Sequence, residues 1–298
     1  MKTRDSRTLK KVLITVLHFS IPTVLWSLLL TASSLVPRAD AFQTELKPAR
    51  IRQGDAFLLR INGLKGSTEP SAMLNKEPLP FSSCGKGCFV TIGAVDLDTK
   101  PGKHRIILKI GKRKASLHVR VLRGKFETIH LTLSEEKVTP GIEDIERIKR
   151  EADLLTAIWQ IESEKLWEGN FILPLEKPLS TRFGTKRIIN KETESIHRGL
   201  DMQGEEGEAI HASNRGRVVL TEELFFGGNT VILDHGQGIY TVYMHLSGFS
   251  VAPGDLVAKN DIIGFVGSSG RSSGPHLHFG VKVAGINVNP VSITGLKL

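Results

Sequence analysis

The sequence predicts a mainly β protein, with an antiparallel β domain at the C-terminal end preceded by a small β-sandwich and one amphipathic helix. Three observations carry this. Residues 43–122 hold short β-branched runs, among them FLLRI (57–61), CFVTIGA (88–94), HRIILKI (104–110) and ASLHVRV (115–121). Turn signals such as Gly63, Gly66, Pro101-Gly102 and Gly111-Lys112 separate them. Between 139 and 165 the apolar period changes to three and four residues. From Phe171 onward short strands return, with frequent glycine and few stretches long enough for a helix.

The chain has 298 residues, enough for two domains behind a targeting segment, and is 40% hydrophobic. Residues 1–11 are basic, 12–30 (VLITVLHFSIPTVLWSLLL) are apolar, and Ala39-Asp40-Ala41 is a small-x-small site. This is the layout of a secretory signal peptide over 1–41, with an uncleaved membrane anchor through 12–30 as the alternative. Either places the rest of the chain outside the cytoplasm, in the periplasm or against the cell envelope. A mean hydropathy near zero argues against several membrane spans. The formal charge is +9, of which residues 1–41 supply +4 from six basic and two acidic side chains. The remaining +5 suits an anionic partner such as a cell wall or membrane surface. The body has no long Lys/Arg run and no aromatic-basic platform, so nucleic acid is not an expected partner.

Residues 42–122 fit a sandwich of about seven short strands. They contain both cysteines, Cys84 and Cys88, in CGKGC. In an oxidising compartment these read as a small structural disulfide, worth roughly 2 kcal/mol for so short a loop. Residues 123–170 read as a linker strand (128–133) and a helix. Thr139 as N-cap and Pro140 at the first helical position mark its start. Ile142, Ile145, Ile148, Ala152, Leu155 and Trp159 then form an apolar stripe, giving an amphipathic helix to about Lys165, docked on a neighbouring domain.

The fourth segment, 171–298, carries the chemistry. GSSGRSSGPHLHFG (267–280) reads as strand, loop, strand. On a strand His276 and His278 project from one face, with Leu277 on the other. They suit a metal or proton-transfer site, or else two surface histidines on an edge strand. His197 and Asp201, in HRGLD, lie four apart and share a face if extended. HxxxD with HxH supplies enough imidazole and carboxylate for a zinc ion with one position left for water. His245, ending the strand YTVYMHL, is a further imidazole in the same domain.

At these motifs the chain resembles the lysostaphin-type (LytM-like) zinc metallopeptidases, which cut peptidoglycan cross-links. The resemblance covers about Phe171 to Val291: LSTRFGTKR, HRGLD, GEAIHASNRGRVV, YMHL, VAPGDLVAKNDIIGFVGSSGRSSGPHLHFG and NP. It implies an antiparallel sheet with a groove above it and one zinc per chain held by His197, Asp201 and His278. It implies catalytic roles for His245 and His276, and treats His211 and His235 as structural. The implied activity is an exported endopeptidase acting on peptidoglycan, and the sandwich and helix favour the D-alanyl to meso-diaminopimelate cross-bridge over pentaglycine. Some relatives use a tyrosine near the first ligand as an oxyanion donor; 187–196 has none, so that role has no candidate. Two other readings stand beside this one. A non-catalytic wall-binding or regulatory protein would have lost ligands that are all present here. A lipoyl-type carrier hairpin around Lys259 leaves both histidine motifs unexplained.

Overall fold

A computed structural model describes residues 42–65, 68–131, 141–190 and 193–298. The expected export segment over 1–41 and the expected helix start at Thr139-Pro140 lie outside the described residues. Among the described residues no helix is long and apolar enough to cross a membrane.

Nine strands fill 43–122: β1 (Gln43–Lys47), β2 (Arg50–Arg52), β3 (Ala56–Asn62), β4 (Pro70–Leu74), β5 (Glu77–Leu79), β6 (Ser82–Gly85), β7 (Cys88–Ala94), β8 (Gly102–Ile110) and β9 (Arg113–Leu122). They form a four-stranded sheet, β1-β3-β7-β6, and a five-stranded one, β2-β9-β8-β4-β5. The count exceeds seven because β2, β5 and β6, of three or four residues each, carry too little alternation to be read reliably as strands. A disulfide joins Cys84 to Cys88 across the β6–β7 turn, with Cα atoms 5.1 Å apart.

The sequence AFLLRIN explains how this unit meets the rest. Side chains alternate across a strand, so Phe57, Leu59 and Ile61 face the sandwich core with Ile106, Leu108 and Val119. Ala56 and Leu58 face the other way, into a core shared with Phe171, Phe183, Leu200, Leu277 and Phe279. β3 is therefore buried on both sides, as continuous apolar runs are in middle layers.

Next come β10 (Thr128–Leu131) and helix α1 (Ile142–Ile158). The Asp144 carboxylate accepts from the Gly141 N–H at the helix start, 3.2 Å, which suits the positive end of the helix dipole. The helix stops seven residues short of the expected Lys165. Bonds from Gln160 N to Ala157 O and from Ile161 N to Ile158 O tighten its end. Residues 161–167 then form neither helix nor strand, and the 235–240 turn takes several of their carbonyls and amides. Tyr240 Oη donates to Ile161 O (2.9 Å), Gln237 N to Ser163 O (3.0 Å), and Leu166 N to His235 O (2.8 Å). The apolar stripe is docked only at its end, where Leu155, Ile158 and Trp159 pack on Leu220, Ile232, Tyr240 and Val242; Ile142 and Ile145 are exposed.

The C-terminal strands are β11 (Leu179–Thr181), β12 (Lys186–Ile189), β13 (Thr193–Ile196), β14 (Leu200–Gln203), β15 (Ala209–His211), β16 (Gly216–Leu224), β17 (Gly228–Asp234), β18 (Ile239–Phe249), β19 (Leu256–Val257), β20 (Ile262–Val266), β21 (His276–Val283) and β22 (Ile286–Val288), followed by helix α2 (Pro290–Thr294). The main sheet runs β11-β14-β21-β18-β17-β16-β19, and all its pairings are antiparallel. One face carries the shared core. On the other, α1 covers the β16–β18 region and leaves the β14–β21 region uncovered by it. β12 and β13 form a hairpin whose open edge is taken by β10 in parallel.

Candidate metal centre and active site

The register of β14 against β21 sets Asp201 opposite His278 and Gln203 opposite His276. Cross-strand partners share a face, so Asp201 and His278 meet above the sheet. His197 enters from the turn before β14, tied back by His197 N to Thr185 O (2.9 Å) and Gly184 N to His197 O (2.8 Å). Gly199 lets the chain pass: a Cβ there would lie 2.6 Å from His278 Nε2.

Three donor atoms converge. His197 Nε2 is 2.9 Å from Asp201 Oδ1 and 3.0 Å from His278 Nδ1, and His278 Nδ1 is 2.8 Å from Asp201 Oδ1. His197 Nδ1–H donates to the Arg182 carbonyl (3.0 Å), so Nε2 carries the lone pair. A tetrahedral ion with donors at about 2.0–2.1 Å separates them by roughly 3.3 Å. The observed triangle is slightly tighter, and a small spreading would seat an ion above its plane. Two imidazoles and a carboxylate, all buried or half-buried, therefore form a group able to hold a metal. Burial opposes the charge of Asp201, but its contacts with the His197 and His278 imidazoles outweigh it and hold the carboxyl far below the usual carboxylate range. Burial also lowers His278, with the Asp201 hydrogen bond pulling the other way.

His276 stands beside this triangle, its Nε2 3.9 Å from Asp201 Oδ1. Its Nδ1–H donates to the Gly274 carbonyl (2.8 Å). His245 stacks near it, with ring centroids 4.8 Å apart, and its Nδ1–H donates to the Ser269 carbonyl (2.9 Å). Both rings thus keep a free lone pair on Nε2. Burial lowers the pKa of His245 to about 4. His245 has φ 68°, a left-handed value uncommon outside glycine. The reason is topological: β18 pairs with β21 as far as Met244 and with β20 from Leu246 onward. Met244 is opposite His278, so plain alternation would turn His245 away from that face; the reversed φ breaks the alternation.

The loop between β20 and β21 is held close to the β16–β17 turn. Gly228 and Gly270 meet backbone to backbone, and a Cβ on Gly270 would lie 2.2 Å from Gly228 N. Ser269 Oγ donates to Leu246 O (2.7 Å) and accepts from Asn229 N (2.9 Å). The Arg271 guanidinium lies 4.6 Å over the Phe226 ring. His211 and His235 sit elsewhere. His211 Nδ1–H donates to Asn260 O (2.8 Å); His235 is fully buried, Nδ1–H to Arg215 O (2.8 Å), and burial lowers its pKa to about 4. Lys259 Nζ caps the carbonyls of Glu168 and Asn170.

Sequence reasoning missed Arg187, whose Nη2 donates to Asp201 Oδ2 at 2.9 Å. Arg187 closes the LSTRFGTKR motif, but nothing in the local pattern of RIINKETESI ties it to a residue fourteen positions on.

The comparisons with known proteins agree with this geometry. Residues 195–290 match the model of Peptidase family M23. The DD-carboxypeptidase/endopeptidase Mpg of Neisseria meningitidis serogroup B is 40% identical over 115 residues, 39% of this chain and 26% of that one. The peptidoglycan DD-endopeptidase ShyA of Vibrio cholerae is 35% identical over 113 residues, 37% of this chain and 26% of that one. The chain thus spans about a quarter of the length of these curated relatives. A solved structure of a Pseudomonas aeruginosa protein assigned to peptidase M23 superposes with a TM-score of 0.63 at 27% identity, over 82% of this chain and 94% of that one. Behind its β1–β9 sandwich, the chain carries a Peptidase family M23 domain of the LytM type over residues 195–290.

Proposed function

We propose that this chain is an exported zinc metalloendopeptidase that hydrolyses peptide cross-links of peptidoglycan. The observation that supports it most is the meeting of His197 Nε2, Asp201 Oδ1 and His278 Nδ1 within 2.8–3.0 Å, beside two imidazoles whose Nε2 lone pairs are free. His197, Asp201 and His278 hold one zinc. When bound, zinc supplies a Lewis acid that polarises a carbonyl and acidifies water.

His245 and His276 handle the protons. Backbone carbonyls fix both rings with hydrogen on Nδ1, so each Nε2 can accept a proton from the attacking water and return it to the leaving amine. A protonated Nε2 also donates to oxygen charge that builds on the scissile carbonyl. The low pKa of His245 keeps it in the accepting form at neutral pH. The 267–274 loop walls the groove, where its glycines let a peptide stem come close to backbone.

The organisation proposed is an export segment over 1–41, removed or kept as an anchor through 12–30; a sandwich over 42–122; a linker strand and helix over 123–170; and the peptidase unit over 171–298. The working place is the periplasm or cell envelope. For the substrate we favour the D-alanyl to meso-diaminopimelate cross-bridge, since ShyA is named a peptidoglycan DD-endopeptidase and Mpg a DD-carboxypeptidase/endopeptidase.

Digestion of purified sacculi, with mass spectrometry of the released muropeptides, tests this. Zinc-loaded protein should convert cross-linked dimers to monomers. Untouched dimers, or cleavage of pentaglycine alone, would overturn it.

A further inference from the structure

We infer that Arg187 is a positioning residue that keeps Asp201 a one-oxygen ligand. This rests on the metal site proposed above. Asp201 is 6% exposed and has two oxygens with different partners. Oδ1 faces His197 Nε2 and His278 Nδ1 at 2.9 and 2.8 Å. Oδ2 accepts from Arg187 Nη2 at 2.9 Å. A charge-assisted bond of this length sets the rotation of the carboxylate about its last torsion. With Oδ2 turned toward Arg187, Oδ1 is the oxygen presented to an ion between the two histidines.

The arginine is itself held in place. It lies on β12, within the hairpin β12–β13, outside the residues that match the M23 model. Opposite Arg187 on the free edge of that hairpin is Ile129 of β10, in parallel register. Lys186 N donates to Glu127 O at 2.8 Å, and the Phe126 ring fills the space above Gly184, where a Cβ would meet it at 2.2 Å. The linker segment 126–131 thus braces the strand that presents Arg187. Partners behind a ligand commonly orient it and tune the ion. The positive charge of Arg187 works against binding a cation nearby, so its contribution is to geometry rather than to raw affinity.

The test uses the mature full-length chain loaded with cobalt(II) in place of zinc, and compares Arg187→Met with Arg187→Lys. Lysine keeps a charged donor for Oδ2; methionine keeps the stem alone. In Arg187→Met both carboxylate oxygens are free, so the visible cobalt absorption should weaken as the coordination number rises. Turnover of dimeric muropeptides should fall about 10- to 100-fold, carried by kcat. Arg187→Lys should restore most of the spectrum and rate. Arg187→Ala repeats the comparison if the methionine variant does not fold. A wild-type spectrum and kcat in a folded Arg187→Met protein would overturn the role. Wild-type protein that takes up neither cobalt nor zinc would overturn the metal site itself, and this role with it. Metal uptake without muropeptide cleavage would count against the substrate alone, while the spectrum still reads Arg187.

Discussion

Asp201 and His278 stand directly opposite each other in the β14–β21 ladder, and their side chains meet at 2.8 Å, Nδ1 to Oδ1. Sheet register thus brings together two residues 77 positions apart. The pair is as well specified as the ladder, because a slip of one residue would send one of the two to the opposite face.

The metal prediction follows. His278→Ala and His197→Ala should lose bound zinc and all turnover while keeping the fold by circular dichroism. Metal content by plasma emission spectroscopy checks it, and full zinc occupancy in His278→Ala would sink the ligand set.

His245→Ala and His276→Ala should keep zinc and lose turnover by about 100-fold or more, the usual scale for a proton-transfer group. Each is held by a loop carbonyl, Ser269 O and Gly274 O, and not by the other donor atoms of the triangle. Zinc lost from folded His276→Ala would show that His276 belongs with the ligands.

Gly270→Ala should keep zinc but lower activity. Its φ is 66° and the added methyl would lie 2.2 Å from the Gly228 amide, so the loop must lift away with Ser269, the partner of His245. A fully active variant would mean that the spacing of these two turns is irrelevant to the reaction.

Stability should depend on pH through His235. Its folded-state pKa is about 4, because burial disfavours the charge, against ~6.5 for an exposed histidine. Between these values the unfolded chain binds a proton that the folded one does not. The contribution is therefore complete above about pH 6.5 and is lost as the pH falls toward 4, by up to about 3 kcal/mol. Urea unfolding at pH 7 and pH 4.5 should show a smaller drop in His235→Gln than in the wild type; equal drops would refute the assignment.

Much of the site is legible in the sequence because its signals are local. HxH on a strand puts two imidazoles on one face, and HxxxD brings a carboxylate near a third. The division within HxH is not local: it depends on which histidine lies opposite Asp201. His245 was visible only as a strand end, since its reversed φ comes from the strand changing partners there. Arg187 closes the LSTRFGTKR motif, but its tie to Asp201 was invisible because its hairpin reaches Asp201 only in the folded chain. Of the fold, the alternating runs of the sandwich and the start of the apolar stripe in α1 could be read. The early end of α1 could not, because hydrogen bonds to the 235–240 turn decide it. Nor could the two-sided burial of β3, since FLLRI is apolar but for Arg60 and does not say what lies on either side.

That two-sided burial has a consequence for how the molecule comes apart. Leu58 is 1% exposed and packs with residues of the peptidase unit, while Phe57 and Leu59 on the same strand pack inside the sandwich. Leu58→Ala should therefore cost about 2–5 kcal/mol, although it lies far in sequence from the matched domain. Neither core can open without stripping one side of β3. Melting should then be a single cooperative event, one calorimetric peak with no half-melted plateau, and heat should abolish the sandwich and the site together.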